Sequence, residues 1–185
     1  LEHTILVAGF GGQGILFLGK LLAYSGMIEG KEITWFPSYG AEVRGGTANC
    51  TVIISDEMIG SPIVRNPEIM VIMNEASLNK FQPRLKKNGL LIFDSSLVKK
   101  PELRPDIRAI QVPASEIAVS IGSTKYANMV MFSALLAETG MIKEKSAINA
   151  LEELTPAKRK KSLDANKEAM ARGRKFVEDK KSKNI

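Results

Sequence analysis

The run Thr4-Ile5-Leu6-Val7-Ala8-Gly9-Phe10-Gly11-Gly12-Gln13-Gly14 passes without a break from a short apolar stretch into a glycine-dense turn. Its first part, "TILVAGF", reads as a strand buried on both faces, and "ILFLGKLLAYSGM" after the turn reads as a helix. Strand, glycine turn and helix in that order open an α/β unit. Gly9-Phe10-Gly11-Gly12-Gln13-Gly14 also satisfies G-x-G-x-x-G. In dinucleotide folds the first glycine of that pattern permits the tight turn, the second admits a pyrophosphate to the backbone, and the third lets helix pack on strand. Gly9, Gly11 and Gly14 take those places, and Gly12 adds one more position without a side chain. A phosphate would sit on the unpaired N–H groups that begin the helix.

Outward from this turn, β-rich runs alternate with helical ones. "EITWF" (32–36), "TANCTVIIS" (47–55), "EIMVIM" (68–73), "GLLIFDS" (89–95) and "IRAIQVP" (107–113) read as strands. "ASLNKFQPRLKKN" (76–88) reads as a helix that Pro83 kinks or splits. "ASEIAVSIG" and "YANMVMFSALLAETG" read as two more helices, the second apolar nearly all round and hence buried. Thr155-Pro156 reads as an N-cap with proline at the first helical position, opening a basic C-terminal helix. The alternation predicts a three-layer αβα, Rossmann-like α/β domain over 1–155 with a mostly parallel sheet. Residues 156–185 form a helical extension packed on, or projecting from, that domain.

Composition narrows the chemistry. The 185 residues, 44% of them hydrophobic, suffice for one well-buried core. No apolar run is long enough to cross a bilayer and no secretory leader is legible, so the expectation is a soluble, cytoplasmic protein without a membrane partner. Cys50 is the single cysteine and His3 the single histidine. One thiol cannot ligate an iron–sulfur cluster, and a lone terminal histidine makes no triad, so no catalytic or metal-binding residue is assigned. Cys50 itself reads as a small buried hydrophobe. The net charge of +6 belongs to the tail, where residues 157–185 hold 11 Lys and Arg against 4 Asp and Glu. Leu163, Lys167, Met170, Arg174 and Val177 recur there at helical spacing, which marks a solvated helix with a narrow apolar stripe. With one aromatic and no binding motif in the tail, nucleic acid is not an expected partner.

A nicotinamide site also wants an acidic residue at the end of the second strand. "EITWF" ends instead in Trp35, Phe36 and Pro37, with Glu29 and Glu32 falling before the strand or at its start. That disfavours the alternative of a free-standing Rossmann-like protein binding NAD or another nucleotide. The second loop, Ser38-Tyr39-Gly40-Ala41-Glu42-Val43-Arg44-Gly45-Gly46, sets a carboxylate two residues from a guanidinium between glycines. Arg44 there suits a bidentate clamp on phosphate or carboxylate, with Glu42 orienting it or pairing with another chain. Both glycine loops are expected at the carboxyl ends of neighbouring strands, the edge where open α/β sheets bind ligands. Asp94-Ser95-Ser96 ends a strand at that edge, where it serves as a cap or touches a ligand. Trp35 and Phe36 suit either core packing or a partner-facing patch.

"GFGGQG", "FPSYGAEVRGGTANCTVIISDEMIGSP" and "YANMVMFSALLA" together resemble the gamma subunit of the 2-oxoacid:ferredoxin oxidoreductases over about residues 4 to 140. The resemblance implies a non-autonomous subunit of a complex that oxidatively decarboxylates a 2-oxoacid to acyl-CoA and reduces ferredoxin. It implies thiamine diphosphate, magnesium and iron–sulfur clusters in alpha, beta and possibly delta partner subunits, and none held by this chain alone. It assigns to the coenzyme A channel Gly11, Gly12, Gln13 and Gly14 of the first loop. From the second it takes Ser38, Tyr39, Gly40, Glu42, Arg44, Gly45 and Gly46, and it adds Asn128 near the same edge. "SYGAEVRGG" is similar to the 2-oxoglutarate and branched-chain enzymes.

Overall fold

The computed structural model describes residues 1–38 and 46–183. Within them a six-stranded sheet carries helices on both faces. The strands are β1 (Glu2–Phe10), β2 (Glu32–Ser38), β3 (Thr47–Ser55), β4 (Ile69–Ile72), β5 (Leu90–Asp94) and β6 (Arg108–Val112). Their order across the sheet is β2-β3-β1-β4-β5-β6. β1, β4, β5 and β6 pair in parallel, whereas β3 runs antiparallel to both β1 and β2. The sheet is therefore mostly parallel with one reversed strand. The loops expected from neighbouring strands instead leave β1 and β2 with β3 lying between them. Eight residues, 39–46, separate β2 from β3, fewer than the dozen or so that a crossover to a parallel neighbour needs.

The helices are α1 (Ile15–Ile28), α2 (Glu75–Phe81), α3 (Ala114–Ile121), α4 (Ala127–Thr139), α5 (Glu144–Leu154) and α6 (Lys160–Lys183). One face of the sheet holds the larger core, in which Val7, Val52, Val71 and Ile92 meet Leu18, Leu22, Met129, Phe132 and Leu151. The other face holds a smaller cluster of Leu6, Met70, Ile72, Leu91 and Phe93 under Leu78, Phe81 and Leu85. α4 has ten successive residues buried, from Ala127 to Leu136, as its all-round apolarity predicts. The methionines of "MVIM" and "NMVMF" are core filling, since Met70, Met73, Met129 and Met131 are at most 1% exposed.

Pro83 ends α2 early. The helix stops at Phe81 and a 3-10 turn covers Gln82–Arg84, the break expected at Pro83, but residues 85–88 are not helical, so no second half of the helix follows it. Thr155 closes α5 rather than opening the basic helix. Its hydroxyl donates to Leu151 O, and a 3-10 turn at Ala157–Arg159 precedes α6. α5 was not legible as a helix. Ser146, Ala147, Ala150 and Leu151 give it a buried face made mostly of small residues, which a search for large apolar side chains passes over.

α6 lies along α4. Its buried stripe is Ala169, Met170, Gly173 and Val177, displaced from the expected one, with Lys167 and Arg174 at its margins pairing to Glu152 and Glu144. Trp35 and Phe36 go to opposite faces: Trp35 packs against the larger core, while Phe36 is 58% exposed.

Cys50 lies fully buried under α1, its sulfur 3.7 Å from Ile15 O. Burial pushes its thiol up to about 12, against smaller opposing effects of Trp35 and the Gly19 backbone. The thiolate is the reactive form, so native Cys50 should react with a maleimide at pH 8 roughly a hundredfold or more slowly than in denaturant. Stoichiometric labelling of the native protein at the unfolded rate would contradict this burial.

Candidate functional site

The site forms at the carboxyl ends of β1 and β4, where the order of strands changes direction along the sheet. Phe10 is registered with Thr47, and Ser38 with Asn49. The β1–α1 turn and both ends of the second glycine loop therefore stand on one rim. Ser38 and Gly46 are described at that rim, whereas Tyr39, Gly40, Glu42, Arg44 and Gly45 lie outside the described residues.

Gln13 staples the first loop. Its Oε1 accepts from Phe10 N at 2.6 Å and from Asn74 Nδ2 at 3.0 Å, and its Nε2 donates to Met73 O at 3.2 Å. One side chain thus ties the turn after β1 to the turn after β4. Asn74 spends its own Oδ1 as the N-cap of α2, accepting from Ser77 N at 2.8 Å. Across the turn, Asn128 at the start of α4 donates from Nδ2 to Gly14 O at 3.3 Å. Asn128 thus stands beside the first glycine turn.

The glycines take roles other than those of the dinucleotide pattern. Gly12 and Gly14 hold positive φ, +93° and +74°, a region side chains rarely enter. Gly14 admits Asn128 rather than a strand, since a Cβ there would stand 2.2 Å from Asn128 Nδ2. Among the described residues no side chain caps α1, which leaves the first N–H groups of the helix open at the rim. Two features argue against a nicotinamide site. Antiparallel β3 occupies the place beside β1 where the dinucleotide fold puts its second strand. Glu32 is registered with Ser55 at the far end of β2, and Glu29 accepts from Lys143 N at 2.7 Å.

Asp94 is structural. Wholly buried, it accepts from Ser96 N at 2.9 Å and from the Ser115 hydroxyl at 2.5 Å, and it also receives Ser115 N. It thereby caps α3 from across the sheet and has little acceptor capacity left for a ligand.

Two clefts flank the glycine turn. One, of about 280 Å3, is lined by Gly12, Gln13, Met73, Leu97, Ser115 and Lys125, among others. The other, of about 600 Å3, runs from Phe17 and Asn128 toward the start of α6. Lys125 lines both, a residue that no pattern in the sequence singles out. The rim is rich in donors and therefore suited to binding an anion. The one thiol, Cys50, is buried, and among the described residues no group of three His, Cys, Asp or Glu could hold a metal ion.

Known proteins resemble the chain in sequence and in fold. VorA, a ketoisovalerate oxidoreductase subunit of Methanothermobacter thermautotrophicus, is 37% identical over 180 residues, which are 96% of this chain and 37% of VorA. The chain thus spans little more than a third of that curated relative. The solved gamma subunit of a keto/oxoacid ferredoxin oxidoreductase from Geobacter sulfurreducens superposes with a TM-score of 0.81 at 28% identity, covering 95% of this chain and 98% of that one. A 2-oxoglutarate:ferredoxin oxidoreductase from Magnetococcus marinus, solved with 2-oxoglutarate, coenzyme A and succinyl-CoA bound, gives a TM-score of 0.86 at 25% identity, over 96% of this chain and 31% of that one. The family model for pyruvate ferredoxin/flavodoxin oxidoreductase matches residues 4–176, nearly the whole chain, and it is to this family that the chain belongs.

Proposed function

We propose that the chain is the gamma subunit of a 2-oxoacid:ferredoxin oxidoreductase complex and that its glycine rim forms part of the coenzyme A site. The observation that carries this reading is the register of Phe10 with Thr47 and of Ser38 with Asn49, which sets the first glycine turn and the two ends of the second loop on one rim, beside a helix start that no side chain among the described residues caps. Coenzyme A carries a diphosphate, and backbone N–H groups at such a helix start suit it. Gln13 and Asn128 hold the rim in shape, and Arg44 supplies the charge.

Thiamine diphosphate with magnesium, which supplies the decarboxylation chemistry, and the iron–sulfur clusters that pass electrons to ferredoxin belong to alpha, beta and possibly delta partner chains. The Geobacter sulfurreducens gamma subunit, a separate chain matched over 98% of its length, supports a division of the machinery among polypeptides. Among the described residues no helix is long and apolar enough to span a membrane, and we place the complex in the cytoplasm.

In the assembled complex, Arg44→Ala should raise the KM for coenzyme A about tenfold to a hundredfold, the loss of one charge-assisted clamp. A mutant complex with unchanged acyl transfer and unchanged subunit composition would refute the assignment.

A further inference from the structure

β2 is an open edge of the sheet, and apolar side chains stand exposed on both faces of that edge. On the α1 face a groove of about 450 Å3 is lined by Lys20, Tyr24, Met27, Ile33 and Trp35, among others. On the other face Phe36 and Ile63, 58% and 71% exposed, share a smaller cleft. An unpaired strand between two exposed apolar surfaces is a template for a further strand.

The register decides which backbone groups face outward. Asp56 N donates to Leu1 O, so the even-numbered residues of β3 bond to β1 and the odd-numbered ones to β2. Glu32, Thr34, Phe36 and Ser38, registered with those odd residues, turn their N–H and C=O groups inward. Ile33, Trp35 and Pro37 turn theirs outward, where a proline is tolerated because an edge asks no N–H of it. An antiparallel copy of the same strand can then pair Ile33 with the second copy's Trp35, twice over, about a two-fold axis at Thr34. Moving the axis to Trp35 brings Pro37 into the ladder opposite Ile33. Moving it to Ile33 sets Trp35 against Lys31, whose N–H is spent on Gly26 O at 3.1 Å. Of the three registers, the axis at Thr34 alone completes each pair.

The helices and charges agree with that axis. α1 lies over β2 and β3, with Gly19 against Cys50 and Trp35 and Gly26 against Ile33. Strands about 4.8 Å apart would put the α1 helices of two copies about 10 Å apart, the spacing of packed helices. Side chains of each would fill the groove of the other. Lys20 stands at the Trp35 end of the groove and Glu32 at the opposite end, where Lys31 is already paired with Asp56. The axis carries Glu32 of one copy to Lys20 of the other.

We infer that β2 is a self-association edge, at which a second copy of this chain adds its sheet antiparallel to the first. β1 and β2 both run antiparallel to β3, so the two glycine rims fall at opposite ends of the joined sheet. The inference is independent of the coenzyme A reading.

The test uses the full chain. Thr34→Cys sets two thiols across the axis, with Cα atoms about 4.5 Å apart, a span that a disulfide bridges. Under mild oxidation this variant should give a disulfide-linked dimer. Phe36→Cys, at a more exposed position, would lie about 13 Å from its mate and should link at least about tenfold more slowly. Native Cys50 is buried and does not compete. In sedimentation equilibrium the wild-type chain should dimerise with a Kd of about 1–100 μM, as suits a small interface. Lys20→Glu should weaken the dimer about threefold or more, and Lys20→Glu combined with Glu32→Lys should restore it. A chain that stays monomeric throughout that range, or Phe36→Cys linking as fast as Thr34→Cys, would overturn the inference.

Discussion

Gly14→Ala should destabilise the protein by about 2–4 kcal/mol, read from the midpoint of urea unfolding at unchanged m. Two costs add. Gly14 sits at φ +74°, ψ 24°, where an alanine costs about 1 kcal/mol. The new Cβ would also stand 2.2 Å from Asn128 Nδ2 and 2.8 Å from its Cγ, and Asn128 is only 6% exposed, so its amide has little room to withdraw. Overpacking of that kind costs about 1–3 kcal/mol. The two parts separate in a double-mutant cycle. Asn128→Ala in the Gly14→Ala background should recover the steric part and leave the backbone part, giving a coupling of about 1 kcal/mol or more. Additive effects of the two substitutions would mean that Gly14 is set by its backbone alone.

The second large effect lies at the crossing of α4 and α6. A Cβ on Gly173 would meet Val130 O at 2.3 Å, Ser133 Oγ at 2.4 Å and Val130 Cα at 2.9 Å. Two of those three atoms are backbone, so no rotamer change relieves the overlap. Gly173→Val should therefore push α6 off α4 and expose Ala169, Met170 and Val177, now at most 4% exposed. We expect a loss of at least about 3 kcal/mol, with raised amide exchange along α6 and α4 and early proteolysis at the lysines of the tail. Gly173→Ala should be milder and in the same direction. Wild-type exchange rates in α6 of the valine variant would show that the helices do not meet there.

Much of the site was legible because it is local. The glycine pattern at 9–14 requires a turn, Phe10 and Gln13 are three residues apart, and the apolar runs on either side name strand and helix. Asn128 came from the resemblance, and it stands beside the first glycine turn. Lys125 gave no signal, because a cation alone does not reveal which cleft it lines. The carboxylate–guanidinium loop at Glu42 and Arg44 lies outside the described residues, and there the sequence remains the source of the assignment.

The sequence by itself determined the alternation of strands and helices, the two glycine-dense loops, the buried methionines and the helix break at Pro83, since each follows from periodicity or backbone restriction within a few residues. Tertiary structure decided that β3 enters antiparallel between β1 and β2, because a strand's apolar pattern is the same whichever way its neighbour runs. It also decided the stripes of α5 and α6. Close contacts between helices are made by Ala and Gly, whose value lies in what they leave out, and a pattern of omitted side chains acquires meaning only beside the surface it meets.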